Sequence, residues 1–510
     1  MSTKLSNYFG SGGPASLADR GTGQNAAVTI TAGPHASSDG GFGQDPEVGP
    51  VHTGERVIAP TAPHYSLAER RARGRAARKA LPRRELGRFA PLADRPDPAA
   101  MLIAQNEQRV QSLVPVRTAR MAVNEFAFFR GSAVVQAYDL GTAQDTTLTT
   151  QLCGDAHLGN LGLYATPERD IVFDLNDFDE TLPGPFDFDL KRLVASFAVL
   201  GCTRALGDAE AERLIRLCVN AYCSHMSEYA RMGTLDIWYD RIDATELAAR
   251  SRNSAQKRLL SRTVDKAWAR TSEQIASKLT HVVDGQRRFL ELPPLLERVE
   301  KDRAIQRLRD MFRSYRRSLP NERRILLERY RFADMARKVV GVGSVGTRCG
   351  LMLLEGRDSA DILVLQTKQA QNSVFEPYLR RSVYKHQGQR VVVGQRLMQA
   401  ASDIFLGWSG DIRGRDYYLR QSRDGKYALD LSNVQGDTLR VYAAMCGWAL
   451  ARAHARAGDP VAIDSYLGGG ETVTIALVEY ASRYAQQVSV DFERFNEAVA
   501  HGELPTTQLV

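Results

Sequence analysis

Asp155 and Asn160 stand five residues apart in Gly154–Asn160 (GDAHLGN), and Asp177 and Asp179 follow in Asn176–Glu180 (NDFDE). A strand over Thr147–Leu152 delivers Asp155, and the loop turns back so that Asn160 approaches the same point. If Ile171–Leu175 pairs with that strand as a hairpin, Asp155, Asn160 and Asp177 meet at one end of it. Phosphoryl transfer needs such a set. One carboxylate accepts the proton of an attacking hydroxyl, while an amide and a second carboxylate hold Mg²⁺ on nucleotide phosphates. Mg²⁺ suits few protein oxygens because it keeps several waters. Asp and Asn also favour turns and caps, so a turn-rich cluster is the bland alternative; three matched spacings on one expected hairpin weigh against it. His157 orients the loop, ligates a metal or packs in the interior, and the sequence leaves all three open.

A second segment, Gly341–Gly346 (GVGSVG), reads GxGxxG, a weak signal when alone. In a dinucleotide-binding fold the glycines follow a strand, open a helix and precede an acidic residue at the end of the next strand. In a kinase they bridge two strands as a lid over ATP phosphates, with a Lys on the third strand. The next strand here, Asp361–Lys368, ends in Lys368 and not in a carboxylate. Gly350 is also unfavourable in a helix. Both points favour the lid, with Gly341, Gly343, Ser344 and Gly346 over the phosphates and Lys368 pairing with them. Glu376 is the nearby acid available to Lys368, at a separation shorter than kinases normally show.

HxDxxxxN followed by a strand and DF(G/D) is the catalytic apparatus of the protein-kinase-like superfamily, which Asp155–Asp179 resembles. The aminoglycoside-phosphotransferase branch, with a GDxHxxN loop, is the nearer likeness. That resemblance implies Asp155 as catalytic base with His157 beside it, Asn160 and Asp177 as metal ligands with Asp179 adjoining, and ATP and Mg²⁺ as cofactors. Gly184-Pro185…Asp189-Leu190 resembles the branch's DPxxDL, whose Asp braces the catalytic loop from a helix start. GDxH also occurs in metallophosphoesterases, but their further motifs, such as GNHD, are missing here. The order departs from the kinase pattern: the Gly segment and Lys368 follow the loop by about 190 residues, and Ala449–Ala455 (ALARAHA), which resembles the helix preceding the loop in aminoglycoside kinases, lies near the end. A circular permutation explains all three displacements, and termini that lie close together tolerate one. Over about residues 66–500 the chain also resembles a bacterial family, the domain of unknown function 2252, through FAFFRG (Phe126–Gly131), GDAHLGN, NDFDE, VVGVGSVGTRC, GQRLMQAASDIFLGW (Gly394–Trp408) and LARAHARAGD (Leu450–Asp459).

The elements that must position these groups divide the chain by composition. Residues 1–64 are rich in Gly, Ser, Thr, Ala and Pro and predict a disordered tail. A charged helix over Ser66–Ala80 opens a lead-in segment, 65–150, whose Met101–Arg120 is also helical. Residues 151–337 form the catalytic-loop half, with several charged helices and almost no strand signal from 207 to 338. Lys338–Leu354, Asp361–Thr367, Arg390–Val393 and Asp416–Gln421 read as strands of a nucleotide-binding half, 338–430. Helices fill 431–510, with one over Val441–Arg456. Arg117, Arg120 and Arg130 flank a Phe-rich patch and either hold substrate or phosphate or serve structural ion pairs.

Of the net charge of +8, a surplus of seven lies between Glu69 and Arg88, where nine Lys/Arg face Glu69 and Glu85. A solvated basic face accounts for it better than a nucleic-acid or membrane contact. The six cysteines form no CxxC pair, which fits reduced, buried thiols better than disulfides or zinc. No stretch approaches the roughly 20 apolar residues of a membrane helix, and without an apolar signal core the expected location is cytoplasmic. The expectation is therefore an α+β, two-lobed, kinase-like and circularly permuted fold, carrying an ATP- and Mg²⁺-dependent phosphotransferase that acts on a small-molecule or protein hydroxyl. AMP transfer, a nucleotide-binding pseudokinase and a Rossmann-type oxidoreductase are the alternatives.

Overall fold

A computed structural model describes residues 64–250, 254–270, 272–299, 311–339, 341, 343, 345–411, 413–422 and 425–508. The tail expected over 1–64 lies outside the described residues as far as residue 63, and so does Ser344. Leu67–Val510 forms one unit of mixed α and β structure.

The basic run forms helix α1 (Leu67–Ala80), which buries Gly74 and Ala77 and packs on a later helix, residues 460–467. The single helix expected over Met101–Arg120 is broken in two, Pro98–Asn106 and Val114–Met121. Pro115 sits in the first turn of the second piece, where a missing N–H costs no hydrogen bond. Four short strands follow: β1 (Thr149–Leu152), β2 (Leu161–Ala165), β3 (Ile171–Leu175) and β4 (Leu182–Pro185). The expected pairing of the first strand with Ile171–Leu175 is not found. Instead β3 pairs with β2 and β1 with β4, both antiparallel. The loop after Asp155 continues at once into β2, and a short turn with Thr166 N–H bonded to the Asp170 carbonyl (2.8 Å) returns the chain as β3.

Helix α2 (Phe186–Thr203) leaves β4 directly and is buried through sixteen consecutive positions, Phe186–Gly201, so it runs through the core of the helical body. Helix α3 (Asp208–Tyr229) packs along it. The scarcity of strands expected up to residue 338 is overturned. β5 (Thr280–Val283) and β6 (Gln286–Phe289) form a hairpin, followed by β7 (Leu296–Arg298) and β8 (Arg331–Lys338). Asp284 and Gly285 take φ of 50° and 70°, the left-handed pair that a tight two-residue hairpin demands.

β9 (Cys349–Glu355) and β10 (Ile362–Ala370) come next, then helix α4 (Gln387–Met398), β11 (Gly407–Gly410) and β12 (Asp416–Gln421). The strand expected at Arg390–Val393 lies inside α4. His386 caps that helix by accepting from Gln389 N–H (3.3 Å), and the capped helix overrides the β-branched run Val391–Val393. One six-stranded sheet results, in the order β11-β12-β10-β9-β8-β7. Successive side chains alternate between its faces. Met352, Leu354, Leu363 and Leu365 pack with Tyr315 and Leu419 on one face, while Leu351, Leu353 and Val364 pack with Phe289 and Ala336 on the other. The sheet thus begins well before residue 338.

Helices α5 (Gly436–Ala457), α6 (Pro460–Leu467) and α7 (Glu471–Ala500) close the chain. α5 lies on α3, and α7 lies on α2, so the last helices are built into the same body as the first. Arg452 of α5 donates to both carboxylate oxygens of Asp174 on β3, at 2.8 and 2.7 Å, and both side chains are wholly buried. Among the described residues no helix is long and apolar enough to cross a membrane.

Candidate active site

β1 ends where the backbone must turn sharply. Gly154 has φ of +85°, and a Cβ there would lie 2.2 Å from the Glu180 carbonyl oxygen. Only glycine meets both conditions, and the close approach lets GDAHLGN lie against NDFDE. Asp189, in the first turn of α2, then fixes the loop. Its carboxylate accepts from Cys153 N–H at 2.7 Å and Gly154 N–H at 3.0 Å. Behind it stands His454 of α5, with Nε2 3.3 Å from Asp189 and Nδ1 2.9 Å from the Tyr222 hydroxyl of α3.

Asp155 Oδ1 accepts from Arg192 Nε at 2.9 Å. Arg192 also donates to Gln136 Oε1 and the Phe129 carbonyl, each at 2.8 Å, so its position is over-determined. Burial raises the pKa of Asp155; Arg192 and Arg130 oppose the rise, Asp177 adds to it, and the net shift is upward. His157 is buried, and its Nδ1 accepts from Gly159 N–H at 3.1 Å, while Nε2 lies 3.7 Å from Asp155. Burial, with the charges of Arg130 and Arg192, holds its pKa well below the usual value. The ring, with Nδ1 engaged, ties the turn at Gly159.

Asn160 donates Nδ2–H to the Asp155 carbonyl at 2.9 Å and accepts from Asn176 N–H at 2.8 Å through its own carbonyl. GDAHLGN and NDFDE are thereby tied together. Lys368 of β10, 191 residues further along, reaches Asp177 Oδ2 at 3.5 Å and forms an ion pair with Asp179. Burial works to raise the Asp177 pKa, but Lys368, Arg420 and Lys426 outweigh it and hold it at about 2. Asp179 also accepts from the Tyr418 hydroxyl at 2.8 Å, and Tyr418 lies opposite Lys368 in the register of β10 and β12. Lys368 and Tyr418 therefore clasp Asp179 from the sheet.

Gly341–Gly346 joins β8 to β9, and no helix follows it, so the arrangement a dinucleotide-binding motif requires is missing from the described residues. Gly343 and Val345 carbonyls accept from Arg109 at 3.1 and 2.6 Å, and Gly346, at φ +88°, accepts from Val110 N–H at 2.7 Å. Glu376 does not meet Lys368. One of its carboxylate oxygens is buried without a hydrogen bond among the described residues, and its charge acts on Arg390. A cavity of about 670 Å³ opens beside the site, with Gly341, Asn176 and Gln366 in its wall. Among the described residues no group of three or more His, Cys, Asp or Glu is placed to hold a metal.

Sequence reasoning passed over three residues of this cluster. Arg192 had a signal, since it lies three residues past Asp189 on the same helix face. Tyr418 and Arg390 had none. Arg390 of α4 donates to the carbonyls of Thr181 (2.5 Å) and Asp179 (2.8 Å), holding NDFDE from a helix read as a strand.

A family model described as an uncharacterised protein conserved in bacteria, the domain of unknown function 2252, matches residues 109–498. No curated protein matches the chain, and no solved structure does.

Proposed function

From the chain's membership of the bacterial family of the domain of unknown function 2252, a name without chemistry, and from the site's own geometry, we propose an ATP- and Mg²⁺-dependent phosphotransferase of permuted kinase-like architecture. The observation that carries this reading is the meeting of Lys368 with Asp177 at 3.5 Å. In kinases a lysine from the sheet that follows the glycines and the carboxylate that follows the catalytic loop meet in this way around a nucleotide's phosphates. The permuted order draws support from His454 of ALARAHA, the segment that resembles the helix preceding the loop in aminoglycoside kinases, because it contacts Asp189 behind the loop.

The cavity supplies room for the nucleotide. Arg120, Arg169, Lys338, Arg420 and Lys426 line it against Asp403, an excess of positive charge suited to a polyphosphate. The donor set fits Mg²⁺. Asp177, held at about 2, stays anionic at any working pH. Asn160 directs its N–H₂ to the Asp155 carbonyl, which turns its Oδ1 into the available acceptor. Two such oxygens with waters and phosphate oxygens match this ion's habits. When bound, it would neutralise charge on the phosphate oxygens.

Asp155 takes the proton from the acceptor hydroxyl. The hydroxyl oxygen forms its bond to the γ-phosphorus as the bond from that phosphorus to the bridging oxygen breaks, and ADP leaves with the electron pair. Arg192 keeps the carboxylate aimed, and His157 keeps the turn that carries it. Incubation with γ- and α-labelled ATP and Mg²⁺, in the presence of a cell extract as acceptor pool, tests the reaction. Transfer of the γ label alone is expected; transfer of the α label would mean AMP transfer. Neither label moving, with nucleotide bound, would leave a pseudoenzyme.

A further inference from the structure

Arg130 closes the short helix Glu125–Gly131 and stands where the two glycine-bearing segments approach each other. A Cβ on Gly159 would lie 3.5 Å from its Nε, and a Cβ on Gly343 would lie 3.3 Å from its carbonyl oxygen. Its guanidinium feels the charges of both Asp155 and Asp177. Yet its Nε is buried without a hydrogen bond among the described residues. Arg109 and Arg117 also leave Nε without a partner, but their terminal nitrogens are engaged, whereas Arg130 donates no side-chain hydrogen bond among the described residues. Arg192 binds Asp155, Gln136 and Phe129; Arg117 binds Asn106, Gln105 and the Gly131 carbonyl; Arg109 binds the carbonyls of Gly343 and Val345.

A buried N–H without a partner costs free energy, and in a native site it calls for a reason. Burial pulls the Arg130 pKa down, and an arriving anion would restore the balance. We propose that Arg130 binds the terminal phosphate of the nucleotide, an inference that rests on the nucleotide reading of the site. The position favours that phosphate over the inner two. Asp155 must stand at the hydroxyl that attacks the γ-phosphorus, and Arg130 shares the field of Asp155 and the neighbourhood of Gly159. Lys368 stands against Asp177 and Asp179, where the inner phosphates belong. The planar fork of a guanidinium matches phosphate oxygens in a way an ammonium does not.

Calorimetric titration of Mg–ATP and Mg–ADP into wild type, Arg130→Gln, Arg130→Lys and Asp177→Ala tests this. Wild type binds ATP more tightly than ADP. Arg130→Gln loses about tenfold or more in ATP affinity with ADP affinity unchanged, and Arg130→Lys shows a smaller loss of the same kind. The lysine variant carries the comparison alone if the glutamine variant does not fold. The proposal is overturned if both nucleotides bind wild type, Asp177→Ala weakens both, and the Arg130 variants weaken neither or weaken the two equally. Wild type binding neither nucleotide overturns the reading of the site, and this inference with it.

Discussion

Asp155 illustrates how two charges divide the work at one carboxylate. Burial raises its pKa, and Arg192 holds back the rise. A base must be deprotonated to act, so the proposed reaction gains rate with rising pH along a limb set by Asp155. Removing the opposing cation raises that pKa further. Arg192→Gln should therefore move the acid limb of kcat/KM to higher pH, as a pH–rate profile would show; a lower kcat with an unmoved limb would leave Arg192 with a packing role only. Lys368 acts in the same sense on Asp177, and there the cations prevail over burial. Burial alone would push that carboxyl up, and the cations bring it to about 2. Lys368→Met should weaken Mg–ATP binding by about tenfold or more, measured by calorimetry, because it removes a phosphate partner and leaves Asp177 less firmly anionic.

At the scale of elements, the site depends on loops pinned by neighbours that the sequence only partly revealed. GDAHLGN and NDFDE were legible because short-range spacing encodes them, and the brace at Asp189 was what the resemblance to DPxxDL implied. The strand pairing was not, since β1 has no local signal that prefers β4 over β3. Val391–Val393 misled because β-branched residues suit strands when nothing else speaks, whereas His386 as a helix cap is a quieter signal. The Asp284-Gly285 hairpin could have been read from its turn residues. The resulting account makes Gly154 irreplaceable in a way that Gly469 is not: a Cβ at Gly154 meets the Glu180 carbonyl, and one at Gly469 meets nothing within 4 Å. Gly154→Ala should lose about 1–3 kcal/mol and Gly469→Ala about none, as thermal or urea unfolding would register. Equal effects would contradict the loop's dependence on that close approach.

Across the whole molecule, residues far apart in sequence form one body. The last helices do not hang from the sheet as an appendage; α5 lies on α3, α7 lies on α2, and Arg452 neutralises Asp174 in the interior. Breaking a buried pair from one side strands the other charge, so Arg452→Ala should cost about 3–5 kcal/mol in chemical denaturation. Removal of residues 431–510 should prevent folding and not release an active remainder. The same wholeness underlies the functional proposal, which needs the loop half and the sheet half to share one nucleotide. Titrating Mg–ATP into wild type and Asp177→Ala tests that claim most directly. The account predicts saturable binding by wild type and none by the variant, with both folded; equal affinity in the two proteins would contradict it.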